Sequence, residues 1–315
     1  MKYVELGNTG LTVSQLCFGG LIIGPLQANL DVDKGADVIA KAFELGVNFI
    51  DTAELYGTYP HIRRAIEKTG IKPVIAAKSY AYSAEAAAES VEKARKEMNI
   101  DCIDIFLLHE QESRLTLRGH RDALEYYLSA REKGILKAVG VSTHNIEVVR
   151  ACAEMLEIDV IHPIINKSGV GIGDGNIDEM LQAVQNAYNR GKGIYSMKPL
   201  GGGNLLFDYT ASMEFVLKLP YLHSIAVGMQ SEEEVIMNVG VFEGLEIPGE
   251  IKKALLDKKR ILHIDSWCEG CGRCIERCGQ NALEIVAGRA SVDMKKCVLC
   301  GYCGSVCPVF AIKIF

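Results

Sequence analysis

The chain has 315 residues, with 34 Lys and Arg against 40 Asp and Glu, a formal net charge of −6 and 49% hydrophobic residues. That is ample apolar surface for a large core, and the modest negative balance argues against a nucleic-acid surface. No apolar run approaches the ~20 residues of a membrane span, and no charged-then-apolar leader opens the chain. A cytoplasmic protein acting without membrane or nucleic acid is the expectation.

Residues Met1–Val13, with Gly7-Asn8-Thr9-Gly10 between short apolar stretches, predict a β-hairpin that plugs the bottom of the adjoining domain. From Leu16 to about Phe242, short apolar runs alternate with helical patterns. The predicted strands are Gln15–Phe18, Asn48–Asp51, Val74–Lys78, Ile103–Leu108, Ala138–Val141, Val160–Ile165, Gly193–Met197 and Ser224–Val227. Helices are expected to begin near Asp33, Pro60, Ser83, Arg118, Asn145, Gly175, Asp208 and Ser231, with Ser83, Asn145 and Ser231 as N-caps. Parallel neighbours need crossover connections, so eight strands in strict alternation with helices predict a (β/α)8 TIM barrel. A doubly wound open sheet is the alternative. The first strand–helix turn, Gly19-Gly20 to Gly24, lacks the G-x-G-x-x-G spacing that such a sheet uses for dinucleotides. Cys17, Cys102 and Cys152 stand alone in apolar surroundings and read as buried small hydrophobes.

Ile247-Pro248-Gly249 marks a boundary. The expected organisation is a barrel over 1–244, a basic helical linker over 245–263 and a small α+β module over 264–315. Lys252, Lys253, Lys258, Lys259 and Arg260 read as a solvated helix face. Eight of the eleven cysteines lie in the third segment. Cys268, Cys271, Cys274 and Cys278 read C-x-x-C-x-x-C-x-x-x-C, and Cys297, Cys300, Cys303 and Cys307 repeat it. Three cysteines at every third position let one loop wrap a cubane, and the fourth of each run ligates the other cluster. Cys268, Cys271, Cys274 and Cys307 are therefore expected to hold one 4Fe–4S cluster, and Cys297, Cys300, Cys303 and Cys278 a second. Zinc sites pair separated C-x-x-C knuckles, and disulfides belong to oxidising compartments; neither suits this pattern. Ala282-Leu283-Glu284-Ile285 and Ala311-Ile312-Lys313-Ile314 follow the two runs at one offset, so each half repeats loop, helical turn and strand. The stretch from Ile264 to Phe315 closely resembles a bacterial two-cluster ferredoxin. It departs at Gly279, where a proline often follows the last cysteine.

Four chemically related residues fall at or just past the C-terminal ends of consecutive strands: Asp51, Tyr56, Lys78 and His109. Barrel active sites lie on that face. The chain resembles the aldo-keto reductase family from Met1 to about Val241. The strongest parts are Leu6-Gly7-Asn8-Thr9-Gly10-Leu11-Thr12-Val13-Ser14, Gly46-Val47-Asn48-Phe49-Ile50-Asp51-Thr52-Ala53 with Tyr56-Gly57, Ala77-Lys78, Leu107-Leu108-His109 and Gly140-Val141-Ser142. The resemblance implies that Asp51, Tyr56, Lys78 and His109 form the family's catalytic tetrad and that a small carbonyl or alcohol is the substrate. Asp51 would hold Lys78, Lys78 would lower the pKa of Tyr56, Tyr56 would exchange the proton and His109 would orient the carbonyl.

The same resemblance implies NADH or NADPH extended across the mouth. His162 and Met197 would face the nicotinamide, His162 standing where relatives have glutamine and Met197 where they have an aromatic, and Ser142 is a further cofactor-binding position. Backbone amides of the run Gly201-Gly202-Gly203, with Lys198 and Leu200 beside it, could cradle the pyrophosphate, a plain flexible loop being the alternative. Gly228, Ser231, Glu234 and Asn238 would take the adenosine end. Glu232-Glu233-Glu234 replace the cations that read a 2′-phosphate in NADPH-selective relatives, which leaves NADH open.

A hydride is two electrons in one step, whereas a 4Fe–4S cluster carries one. A nicotinamide reductase with an iron–sulfur module that meets a redox partner protein is the first expectation. A flavin- or ferredoxin-coupled barrel is the second, although no motif identifies a flavin. A non-enzymatic electron carrier or redox sensor is the third, against which the intact tetrad counts. The module is expected to pack near the barrel mouth.

Overall fold

A computed structural model describes all residues, Met1–Phe315. The N-terminal hairpin pairs β1 (Tyr3–Glu5) with β2 (Thr12–Ser14). The barrel strands are β3 (Leu16–Gly19), β4 (Phe49–Asp51), β5 (Val74–Ser79), β6 (Ile103–Leu108), β7 (Leu136–Thr143), β8 (Val160–Pro163), β9 (Gly193–Met197) and β10 (Ser224–Gly228). They close in sequence order, with β10 pairing parallel to β3, into an eight-stranded barrel. All eight predicted strands form, within one or two residues at most ends. The open-sheet alternative is thereby excluded.

The helices are α1 (Val32–Glu44), α2 (Tyr59–Thr69), α3 (Ala84–Met98), α4 (Arg114–Gly119), α5 (Arg121–Glu132), α6 (Ile146–Glu154), α7 (Ile177–Asn189), α8 (Tyr209–Leu217) and α9 (Glu232–Glu243). The single helix expected near Arg118 is two, α4 and α5, with His120 at the junction. Ser83 and Ser231 accept from the amides of Ala86 and Glu234, as expected of N-caps. Asn145 stands at the N-cap of α6, but its side chain makes no capping bond. The Asp174 carboxylate caps that helix instead, accepting from the amides of Ile146 (2.6 Å) and Glu147 (2.8 Å). β8 ends earlier than predicted, at Pro163, which has no amide to donate.

Two apolar layers surround the strands. The outer one lies between strands and helices. The inner one joins Leu6, Leu11 and Val13 of the hairpin to barrel-interior residues such as Phe49, Leu107 and Tyr195. The hairpin thus plugs the bottom. Gly7, at φ 54°, makes this possible: a Cβ there would come within 2.3 Å of the Gly193 amide nitrogen. Cys17 and Cys152 are buried and Cys102 half-buried.

After α9, helix α10 (Gly249–Asp257) packs on α9 and leads into the module. There β11 (Leu262–Ile264) pairs with β14 (Ile312–Ile314), and β12 (Leu283–Val286) with β13 (Arg289–Val292). A short helix, α11 (Arg273–Arg277), follows the first cysteine loop. The repeat is visible in hydrogen bonds: the amides of Ala282 and Ala311 donate to Cys278 Sγ and Cys307 Sγ at 3.4 and 3.2 Å.

The module docks on the C-terminal mouth of the barrel, as expected from the sequence. β14 packs against the turn Gly201–Gly203 that follows β9. Asn204 Nδ2 donates to the Ile312 carbonyl at 2.9 Å, and Phe310 is buried within the barrel's own outer core. No helix is long and apolar enough to cross a membrane.

Candidate active site and iron–sulfur module

The tetrad assembles as expected. Asp51 ends β4, Lys78 is the second-last residue of β5, and His109 directly follows β6. Tyr56 lies in a 3-10 turn, Glu54–Tyr56, closed by Gly57 in the left-handed region. The hydroxyls of Thr52 and Thr58 bond at 2.8 Å and staple this loop, while Ser90 donates to Glu54 at 2.7 Å. A connection that must present one phenol is thus tied at both flanks.

Lys78 Nζ donates to Asp51 Oδ1 at 2.6 Å and to the Thr52 carbonyl at 2.8 Å. The lysine side chain is 1% exposed and the aspartate 6%. Burial opposes the Asp51 charge, but Lys78 and His162 together with the Tyr195 hydroxyl outweigh it and hold this carboxyl below its usual range. Tyr195 OH donates to Asp51 Oδ1 at 2.9 Å from inside the barrel.

Tyr56 OH and His109 Nε2 are 3.5 Å apart. Burial, then Lys78, depresses His109 to about 3, so the imidazole is neutral. Its Nδ1 is buried without a partner. One correction concerns Tyr56. Its pKa is raised well above 10, by burial first and then by Asp51 and Glu110, not lowered by Lys78. The ammonium lies over the ring face, 4.9 Å from the centroid, with its charge facing Asp51. The phenol therefore remains protonated.

Around this tetrad lie further groups, of which the sequence reading missed Glu110, His144 and Tyr195. Tyr80 stacks on His109 at 4.4 Å and donates its hydroxyl to Glu110. Glu110 and Lys198, both non-glycine residues at positive φ (46° and 58°), follow β6 and β9 closely and converge. Lys198 Nζ is 2.8 Å from His144 Nε2 and 3.9 Å from Glu110 Oε1. Burial opposes the Glu110 charge, yet Lys198 in particular overcomes it and keeps the carboxyl ionised. Phe310 of the module closes this network, with its ring 5.8 Å from that of His144 and 4.9 Å from Lys198 Nζ. A tyrosine inside a barrel strand needs a partner for its hydroxyl; that signal could have found Tyr195. Nothing local marks Glu110 or His144.

The nicotinamide residues implied by the resemblance do not form an open cradle. His162 lies inside the barrel, its Nδ1 2.7 Å from the Tyr195 carbonyl oxygen and its Nε2 3.6 Å from Asp51 Oδ1, so it supports the tetrad rather than a carboxamide. Burial holds it neutral, at about 4. Ser142 is buried, its hydroxyl accepting from the Glu110 amide at 2.9 Å. Met197 is buried too. Lys198 is engaged as above, and Leu200 packs against the outer core. Gly202 lies under Phe310 and Lys313. Glu234 is buried between Lys258 (2.8 Å) and Arg260 (3.1 Å) of the linker. Asn238 accepts from Tyr209 OH and donates to the Glu234 carbonyl. Ser231 caps α9, and Gly228 alone of the ten is exposed. The linker cations are correspondingly not all solvated: Lys252, Lys253 and Lys259 are exposed, while Lys258 and Arg260 are used. In this docked arrangement the residues do not fit a bound dinucleotide.

The cysteines do fit iron–sulfur clusters. One cavity is lined by Cys278, Cys297, Cys300 and Cys303. A second is lined by Cys268, Cys271, Cys274 and Cys307. Each gathers three sulfurs from one run and one from the other, the crossed grouping that the spacing predicts. No disulfide forms, and all eight of these cysteines are free. Four sulfurs lining each cavity suit a polynuclear group better than one zinc ion.

Comparison with known proteins agrees with this architecture. The aldo/keto reductase family model matches residues 15–216, and a 4Fe-4S dicluster domain model matches 267–311. The chain is 22% identical to L-galactose dehydrogenase of Arabidopsis thaliana, over 82% of this chain and 93% of that protein. It is 24% identical to an aldo-keto reductase of Mycolicibacterium paratuberculosis, over 77% and 88%. A putative aldo-keto reductase from Pseudomonas aeruginosa superimposes with a TM-score of 0.66 at 25% identity, covering 77% of this chain and 95% of that one. With its closed barrel and the family match over most of its length, the chain belongs to the aldo/keto reductase family, and it carries a 4Fe-4S dicluster domain at its C-terminal end.

Proposed function

We propose that the chain reduces a small carbonyl compound to an alcohol at the barrel mouth, with Tyr56 as proton donor. In the same reading two 4Fe–4S clusters are held by Cys268, Cys271, Cys274 and Cys307 and by Cys297, Cys300, Cys303 and Cys278. The observation that carries the reading is the pairing of the Tyr56 hydroxyl with a neutral His109 beside a buried Asp51–Lys78 pair, on the face where the module docks.

Reducing a carbonyl to an alcohol requires two electrons and two protons. The raised pKa of Tyr56 keeps its proton available for the developing alkoxide. Neutral His109 can hydrogen-bond the carbonyl oxygen through Nε2 without adding a buried charge. Asp51, held by Lys78 and Tyr195, fixes the ammonium over the Tyr56 ring. Tyr80, stacked on His109, limits that ring's rotation and shields it from water. The two clusters, when bound, would supply the two electrons one at a time, with Tyr56 giving the proton at oxygen and solvent the proton at carbon.

A nicotinamide as hydride source is the second reading. What favours it is the turn Gly201–Gly203, with three successive glycines at φ 55°, 64° and 87°, a backbone suited to phosphate. NADH and NADPH both remain candidates, since Glu234 is taken up by the linker.

The test is turnover of a panel of aldehydes, ketones and aldoses, the last because one relative is named L-galactose dehydrogenase. Tyr56→Phe should lower turnover about a hundredfold or more with the clusters intact. Near-normal turnover in that variant removes Tyr56 from the mechanism.

A further inference from the structure

The docked module covers the part of the barrel where phosphate groups are usually received. In such barrels that part is the pair of loops after the seventh and eighth strands, here those after β9 and β10. The turn Gly201–Gly203 faces the module's last strand at bare-backbone distance. A Cβ on Gly203 would lie 1.9 Å from the Ile314 carbonyl oxygen, and one on Gly202 would lie 2.8 Å from Lys313 and 2.9 Å from Phe310. The glycines that would let a backbone approach a phosphate here let it approach another strand. Asn204 Nδ2 completes the seam with its bond to Ile312. On the β10 side, Lys258 and Arg260 hold Glu234. Nothing wider than side-chain contact separates the two surfaces along this seam.

We propose that the segment Phe310–Ile314 and a nicotinamide dinucleotide are alternative occupants of one groove, so that a dinucleotide binds only when the module leaves the barrel mouth. The choice of ligand rests on the oxidoreductase reading above; the competition rests on the seam. Docking then acts as a selector. Docked, Phe310, three residues after Cys307, meets His144 and Lys198, which adjoin the tetrad through Glu110 and Tyr80. Undocked, the turn Gly201–Gly203 is free for phosphate. The apparent dissociation constant equals the intrinsic one divided by the undocked fraction. A change that raises that fraction tenfold tightens dinucleotide binding tenfold.

The experiment titrates NADH and NADPH separately into anaerobically prepared full-length holoprotein by calorimetry. It compares the wild type with Asn204→Ala, which removes the bond to the Ile312 carbonyl without adding a charge beside the turn, and with Phe310→Ala. Unchanged iron content and visible spectrum certify that the module is intact in each variant. Both variants should bind a dinucleotide at least about tenfold more tightly than the wild type. By reciprocity, dinucleotide should raise deuterium uptake of residues 310–315 in the wild type. Equal affinity in all three proteins overturns the proposal. So does binding that leaves that exchange unchanged, or no binding by any of them. These outcomes are independent of Tyr56→Phe turnover, so either reading can fail alone.

Discussion

The Asp51–Lys78 pair permits a quantitative test. Lys78→Met keeps most of the side-chain volume and removes the ammonium. Asp51 is then left buried with one hydroxyl donor, Tyr195, at 2.9 Å, and a neutral His162 at 3.6 Å. Breaking a buried pair by removing one partner costs about 3–5 kcal/mol, because the remaining charge is stranded. The double variant Lys78→Met with Asp51→Asn strands no charge, and the amide oxygen can still accept from Tyr195. It should cost clearly less than Lys78→Met alone, which gives a coupling energy of about 2 kcal/mol or more. The pH dependence supplies a second signature. In the wild type, Asp51 is held below its usual range, so its contribution to stability is present at neutral pH and lost as pH falls through the folded value. In Lys78→Met, burial is no longer opposed, the folded pKa rises above the unfolded one, and the folded state binds the extra proton. The penalty of the variant should therefore shrink as pH is lowered from 7 towards 5. Urea unfolding of holoprotein followed by circular dichroism, compared at constant slope, reads both effects. A cost below about 1 kcal/mol at pH 7 with no coupling would refute the reasoning.

The same geometry makes two further outcomes testable. His109 and His162 are buried neutral, at about 3 and about 4. An unfolded histidine takes up its proton near 6.5, so each should remove stability as pH falls below that value, by up to about 1.4 kcal/mol per pH unit. His162→Gln should flatten the acid limb of the stability–pH curve, and an unchanged limb would show that His162 is not buried neutral. In the module, Cys307→Ser and Cys271→Ser should leave the same residual electron paramagnetic resonance spectrum, because both disrupt one cluster. A residual spectrum of Cys307→Ser that matched Cys300→Ser would contradict the crossed ligand assignment.

The strands, the plug and the tetrad were legible because each is written locally. Ile103–Leu108 is an apolar run of strand length, Gly7 marks a turn that only a close approach explains, and His109 ends its strand within a family motif. The grouping of Cys307 with Cys268, Cys271 and Cys274 came from spacing alone, and the two cavities reproduce it. The cofactor loops depart from the open cradle that the resemblance implies, for one physical reason. Gly202, Lys198 and Glu234 are typical of an open phosphate-binding mouth, and their local sequence does not say that Phe310, Lys313, Lys258 and Arg260 will cover them. Tyr56 was misjudged for a related reason. Lys78 is close to it, but the direction of its charge is set by Asp51, and that depends on side-chain geometry rather than on order along the chain. The cap of α6 failed likewise: Asn145 has the right position, but Asp174, from another loop, supplies the oxygens.

The most direct test of the account joins the module to the tetrad in one measurement. Full-length holoprotein is reduced with dithionite, freed of excess reductant and mixed in a stopped-flow instrument with carbonyl compounds that the wild type turns over. Reoxidation is followed by the return of iron–sulfur absorbance. The account predicts reoxidation coupled to alcohol formation, slowed about a hundredfold or more by Tyr56→Phe. Reoxidation at the same rate in Tyr56→Phe, or none at all while NADPH is consumed rapidly, would contradict it.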